Sequence, residues 1–201
     1  MKYLLIAFLW TAYLSLHSFL ISTSFTKLLT RLLKDYYAFY RLFYVVLSIL
    51  LLVPLINFTG QTDNKIVIAY SLPLNVVRYV LISASLVTFV WSLFFIYDPL
   101  SFLGLRQILN FGKKDGSSPE IRKNGLLGIV RHPMYLAVII YFWCQTFRVA
   151  DILVNAILTI YIVIGTFLEE KKLVLEFGDS YTKYQQEVPM LIPFAKPRIT
   201  Q

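Results

Sequence analysis

From Ile152 the chain reads Ile-Leu-Val-Asn-Ala-Ile-Leu-Thr-Ile-Tyr-Ile-Val-Ile-Gly-Thr-Phe-Leu168 and runs on as Glu169-Glu170-Lys171-Lys172. An uncharged apolar run of this length suits a hydrocarbon core about 30 Å thick, which takes about 20 helical residues. No proline interrupts residues 152–177, and Gly178 is placed to cap the helix end. At 1.5 Å per residue such a helix is about 39 Å long. Its last turns, with Glu169 and Glu170, are therefore expected to project from the bilayer on the cytoplasmic side. Working backwards, four more apolar runs occupy residues 3–21, 40–59, 76–97 and 125–147, the last interrupted by Arg131-His132. The pattern predicts an all-α polytopic membrane protein with five transmembrane helices.

Composition agrees. Of 201 residues, 58% are hydrophobic and 15% charged, and the mean hydropathy is +0.67. A soluble domain runs nearer half apolar and a quarter charged. Length predicts a single domain over residues 1–201. The net charge of +8 is explained by placement rather than by nucleic acid. Fifteen of the basic residues fall in three segments: between the first two spans, between the third and fourth, and after Leu168. Only Lys2, Lys65, Arg78 and Arg148 fall on the other side. This is the cytoplasmic lysine and arginine excess of membrane proteins. It places the amino terminus outside and the carboxyl terminus in the cytoplasm; the chain is expected in the cell inner membrane.

The first run is longer than a signal-peptide core and lacks a convincing small-x-small cleavage site, so it is expected to remain as a helix. Cys144 is the single cysteine, which excludes an internal disulfide; it is expected to pack, and no metal site is predicted. The sequon Asn57-Phe58-Thr59 lies too near a membrane edge to be read as glycosylated. His17 is expected to be a packed or interfacial histidine. Tyr36, Tyr37, Tyr40, Trp91, Tyr97 and Trp143 read as an interfacial aromatic belt. The chain has no HExxH, GxSxG or P-loop, so the chemistries tied to those motifs have no foothold.

Asp98-Pro99 is expected to end the third span. Residues 100–111 form a short interfacial amphipathic element, and residues 112–119 a turn-rich loop. The tail from Tyr181 to Pro193 should fold back as a short helix and an extended piece.

Two charged clusters stand out, because ionisable groups at membrane depth are costly and mark function by default. In Gly125-Leu-Leu-Gly-Ile-Val-Arg131-His132-Pro133-Met134-Tyr135, Pro133 suits the first turn of a helix. Arg131 and His132 would then lie beside a helix start, suited to an anion. The alternative is a basic pair snorkelling to headgroups. Glu169 and Glu170 point about 100° apart on a helix, so at most one aims inward. One of them facing Arg131 could hold a ligand ammonium; otherwise both cap the helix in water, paired with Lys172 or Lys183.

In order, the carboxyl-terminal half reads Gly125-x-x-Gly-x-x-Arg131-His132-Pro133-x-Tyr135, then Glu169-Glu170-x-x-Leu173-x-x-x-Phe177-Gly178-x-x-Tyr181-x-x-Tyr184-x-x-x-Val188-Pro189-x-x-x-Pro193. This resembles the membrane-embedded S-adenosylmethionine-dependent methyltransferases related to isoprenylcysteine carboxyl methyltransferase. Upstream, Leu16-His17-Ser18, Tyr40-Arg41-Leu-Phe-Tyr44 and Asp98-Pro-Leu-Ser-Phe-Leu-Gly104-Leu-Arg106-Gln107 are similar to the bacterial branch containing methanethiol S-methyltransferase, and to a membrane family linked to denitrification. The resemblance implies S-adenosyl-L-methionine as cofactor, bound by a core at about residues 125–194. It implies that His132, Tyr135, Glu169, Glu170, Tyr181 and Tyr184 bind the cofactor. Arg131, Glu169 and Glu170 would serve catalysis, Arg131 by positioning a carboxylate or the substrate.

Prenylcysteine-methylating relatives commonly carry a basic residue before the Val-Pro, where this chain has Glu187. An uncompensated negative charge there would disfavour a carboxylate acceptor. The expected function is thus methylation of a small or lipophilic acceptor reaching the site through the bilayer, foremost a thiol. Carboxyl methylation of isoprenylcysteine or a similar lipid-linked acid is the first alternative. A non-catalytic accessory or transport protein of the same fold is the second.

Overall fold

The computed structural model describes residues 1–62, 65–111 and 123–195. The loop expected at 112–119 lies outside the described residues. Helix makes up 80% of the structure and strand 3%, so the chain is all-α. In order, α1 spans Lys2–Ile21, α2 Thr23–Leu33, α3 Tyr40–Thr62, α4 Leu74–Phe95, α5 Pro99–Leu103, α6 Leu105–Leu109, α7 Pro133–Trp143, α8 Val149–Phe177 and α9 Asp179–Glu187. Short 3₁₀ segments occupy Lys34–Phe39 and Gly125–Gly128. Strand β1, Ile66–Ile68, pairs antiparallel with β2, Phe147–Arg148.

Among the described residues, four helical stretches are long and apolar enough to cross a membrane: Lys2–Ile21, Thr23–Thr62, Leu74–Phe95 and Val149–Phe177. The run read as a fourth span behaves differently. Its helix, α7, has 11 residues and is about 16 Å long, well short of a hydrocarbon core. Pro133 starts it as the sequence suggests, but Cys144 caps it and Phe147 belongs to β2. Helix α8 is longer than expected. It starts at Val149, and Gly178 follows its end with a φ of 58°.

The chain folds as two compact units. The first comprises Met1–Ala69, Phe94–Gly116 and Thr146–Ile157; the second comprises Tyr70–Leu93, Ser117–Gln145 and Leu158–Gln201.

In the first unit α1 and α3 run antiparallel, because bonded partners climb one helix as they descend the other. Trp10 Nε1 donates to Thr59 Oγ1 at 3.0 Å, Tyr13 Oη to the Ser48 carbonyl at 3.4 Å, and Tyr40 Oη to the Leu20 carbonyl at 2.8 Å. Ile6, Trp10 and Leu14, one turn apart, form the buried stripe of α1. His17 is packed as expected, its Nε2 2.5 Å from Tyr44 Oη. Arg148 donates to Asp151 and to the Gly60 carbonyl, tying the start of α8 to the end of α3.

The three upstream segments of the resemblance meet in this unit. His17 meets Tyr44, Arg41 donates to the Phe102 carbonyl, and Asp98 both caps α5 and pairs with Arg106. Gly104, with φ of 83°, separates α5 from α6, and a Cβ there would sit 2.6 Å from the Leu42 backbone nitrogen. Both the left-handed backbone and the close approach demand glycine. Gly104→Ala is therefore expected to lower stability by about 1–3 kcal/mol, read as a lower unfolding midpoint in detergent.

In the second unit, Arg78 of α4 donates to the Cys144 carbonyl at 2.7 Å and so satisfies an orphan acceptor at the end of α7. Trp143 Nε1 donates to Thr159 Oγ1 at 2.9 Å, joining α7 to α8. The tail folds back as expected: Tyr181, Tyr184 and Val188 form one buried face packed on Leu173, Val174 and Phe177. Their spacing in sequence is that of one helix stripe.

Candidate functional site

Glu170 lies in the last two turns of α8 and is wholly buried. A buried carboxylate must be paired and hydrogen-bonded or it is not tolerated. Here it is saturated. Arg131 grips it with both arms of its fork, Nε to Oε1 at 2.9 Å and Nη2 to Oε2 at 2.6 Å. His132 Nε2 lies 2.7 Å from Oε1, Tyr181 Oη donates to Oε1 at 2.7 Å, and Gln185 Nε2 donates to Oε2 at 2.6 Å. An ionised carboxylate has about four lone-pair sites, so Glu170 has no capacity left for a ligand ammonium.

Arg131 is equally committed. Its Nη1 donates to the carbonyls of Gln185, at 3.1 Å, and Val188, at 2.5 Å. With the fork on Glu170, this ties the start of α7 to α8 and to the tail. The backbone completes the tie: Arg131 N donates to the Pro189 carbonyl at 2.9 Å and His132 N to the Met190 carbonyl at 3.1 Å. Residues 188–190 thus lie beside the Arg-His pair. The snorkelling alternative is removed, because Arg131 is only 4% exposed. The backbone amides of Arg131 and His132 are thereby both occupied.

The two adjacent glutamates part company, as helix geometry requires. Glu170 points in, and the Glu169 side chain is 30% exposed. Glu169 Oε2 and His132 Nδ1 face each other at 3.8 Å, beyond hydrogen-bond reach. Both atoms are buried and have no hydrogen-bond partner among the described residues. Because Glu170 accepts, His132 Nε2 carries a proton. In a neutral ring Nδ1 is then a bare acceptor. With Nδ1 unprotonated, the two buried atoms are both acceptors and call for a donor between them.

The aromatic candidates fall into two groups. Tyr135 stacks on His132, with ring centres 5.5 Å apart and planes 9° apart. Tyr181 and Tyr184 pack edge to face at 5.7 Å, and each hydroxyl is taken by the protein. Tyr181 serves Glu170, while Tyr184 donates to the Leu127 carbonyl at 2.5 Å, fastening the 3₁₀ turn to α9. Burial, reinforced by the Glu170 carboxylate, raises the Tyr181 phenol above its usual range. Burial pushes Tyr184 up to about 12. Both therefore remain donors at neutral pH.

Gln185 was not singled out in the sequence, yet it is fully buried and holds both Glu170 and Arg131. Its one visible signal is its place four residues after Tyr181, on the same face of α9. Glu187 does not carry the uncompensated charge expected of it. It is exposed and paired with Lys123 Nζ at 2.9 Å, and that contact lowers its pKa.

Among the described residues no group of three or more His, Cys, Asp and Glu side chains is placed to hold a metal. No known family profile matches the chain, and no solved structure does. Several curated proteins do. Methanethiol S-methyltransferase 1 of Bradyrhizobium diazoefficiens is 39% identical over 104 residues, 51% of this chain and 36% of that protein. Methanethiol S-methyltransferase of Pseudomonas sp. strain GM41(2012) is 41% identical over 101 residues, 49% of this chain and 39% of that protein. The Mycobacterium tuberculosis protein of that name is 33% identical over 102 residues, 50% of this chain and 42% of that protein.

This chain resembles the bacterial methanethiol S-methyltransferases.

The matches reach half of the chain and about two fifths of these relatives' length. They support the methanethiol S-methyltransferase branch of the resemblance read from the motifs.

Proposed function

We propose that the protein is an integral membrane methyltransferase that takes its methyl group from S-adenosyl-L-methionine and transfers it to a thiol. The observation that carries the reading is the unpartnered pair, His132 Nδ1 and Glu169 Oε2. An ammonium such as that of the cofactor's methionine end offers the N–H donors that both acceptors lack, and the Glu169 carboxylate adds the opposite charge. The residues present therefore fit the group. Glu169 and His132 would hold the ammonium, with Tyr135 fixing the imidazole plane. Bound there, the cofactor supplies a sulfonium methyl open to in-line displacement.

The remaining residues position rather than react. The Arg131–Glu170–Tyr181–Gln185 cluster fixes His132 through Nε2, and it seats the tail so that the neighbouring wall excludes water. This gives Arg131 and Glu170 a positioning role in place of the direct contacts the resemblance implied. The thiol rests on the names of the relatives. Glu187, once paired with Lys123, gives no ground for excluding a carboxylate acceptor. Glu187→Gln is accordingly expected to leave the ratio of kcat/KM values for a thiol and a carboxylate acceptor unchanged.

The same reading takes residues 1–201 as one transmembrane methyltransferase with its cofactor core at about 125–194. It has five crossings of the cell inner membrane, the fourth made by the short α7 and the turn before it, with the cofactor entering from the cytoplasm. Reporters fused after Gly60 or Ala150 should then appear outside, and those after Lys114 or Gln201 inside. A cytoplasmic signal at Gly60 would end the five-crossing account. The cofactor assignment is tested by calorimetry on the purified protein. Saturable S-adenosylmethionine binding, displaced by the demethylated product, is expected; no binding would remove the reading.

A further inference from the structure

A second feature lies within the first unit. Helix α2 is strongly two-faced. Lys27 and Arg31 share its polar side with Thr23 and Thr30, Lys34 follows at its C-cap, and Phe25, Leu29 and Leu33 recur on the other side. The three cations are exposed. Between Thr23 and Arg41 the sequence carries four basic residues and one acidic, Asp35. The apolar side of α2 does not close against the protein. Together with Leu20, Phe39 and Phe43 it lines a groove of about 350 Å³, within the range of small-ligand sites. Leu28 and Leu32 of the same helix stay exposed. Helix α1, fit to cross a membrane, stands before it, and α3 follows it within the candidate stretch Thr23–Thr62.

A basic amphipathic helix between two spans lies in the interface, its apolar face among acyl chains and its cations at headgroup level. Its charge selects the lipid: clustered lysine and arginine beside a span attract anionic headgroups. We infer that the α2 groove is a binding site for one anionic phospholipid of the surrounding bilayer. One acyl chain occupies the groove and the phosphate faces Lys27, Arg31 and Lys34. The site is independent of the methyl-transfer reading and stands or falls without it.

The test is native mass spectrometry of the delipidated full chain titrated with phosphatidylglycerol, phosphatidylcholine or inorganic phosphate. Wild type should retain one phosphatidylglycerol in preference to phosphatidylcholine, and no phosphate. Each removed cation should weaken retention about fivefold, so Lys27→Gln, Arg31→Gln and Lys34→Gln together should weaken it about a hundredfold. Leu29→Trp, which fills the groove and leaves the charges, should also displace the lipid. Equal retention of the two lipids by wild type would overturn the proposal, whether or not the triple variant folds. So would unchanged retention in the triple variant, or a second copy of the chain taking the place of lipid.

Discussion

Glu170→Ala is expected to cost about 3–5 kcal/mol of stability, the usual cost of breaking one side of a buried ion pair. The change removes the acceptor for four residues at once: Arg131, His132, Tyr181 and Gln185. Arg131 would be left buried with its charge unmatched. A folded domain is stable by only about 5–15 kcal/mol, so the variant should express poorly or unfold at a much lower denaturant midpoint. Glu170→Gln keeps the shape but loses the charge and turns an acceptor into a donor facing the Arg131 fork. It should fall between wild type and alanine. A wild-type unfolding midpoint in both variants would show that this cluster does not hold the second unit together.

The neighbouring residue should behave in the opposite manner. Glu169→Ala removes a partly exposed side chain whose Oε2 has no partner among the described residues, so stability should change little. Cofactor affinity should fall. Losing a charge-assisted contact costs about 1.5–3 kcal/mol, which is roughly a ten- to hundredfold rise in Kd at 1.4 kcal/mol per decade. Calorimetric titration of the folded variant measures it directly. Unchanged affinity would take Glu169 out of the site.

The contrast between these two glutamates marks how far the sequence could be read. Their 100° separation required that they differ, but only the packed structure decides which one turns inward. Arg131, His132 and Glu170 were visible because charge is rare in an apolar chain. Gln185 was not, since a glutamine in a polar nine-residue helix resembles any solvent-facing residue. The carbonyls of Gln185 and Val188 that receive Arg131 carry no sequence signal, because every residue has one. Long spans were legible from uniform apolar composition. The short α7 was not, because composition does not show where the apolar stretch leaves the helix: Gly125–Gly128 forms a 3₁₀ turn, and Phe147 joins a strand. Glu187 misled for a related reason, as Lys123 is 64 residues away in sequence and 2.9 Å away in the fold.

The most direct measurement is methyl transfer itself. Purified protein would be incubated with methyl-labelled S-adenosylmethionine and a panel containing methanethiol, longer alkyl thiols, prenylcysteines, amines and lipids, alongside Glu169→Ala. Labelled thioether should form from a thiol with wild type and be strongly reduced with the variant. Label appearing only on a prenylcysteine carboxylate, or on no acceptor while the cofactor binds, would contradict a thiol methyltransferase.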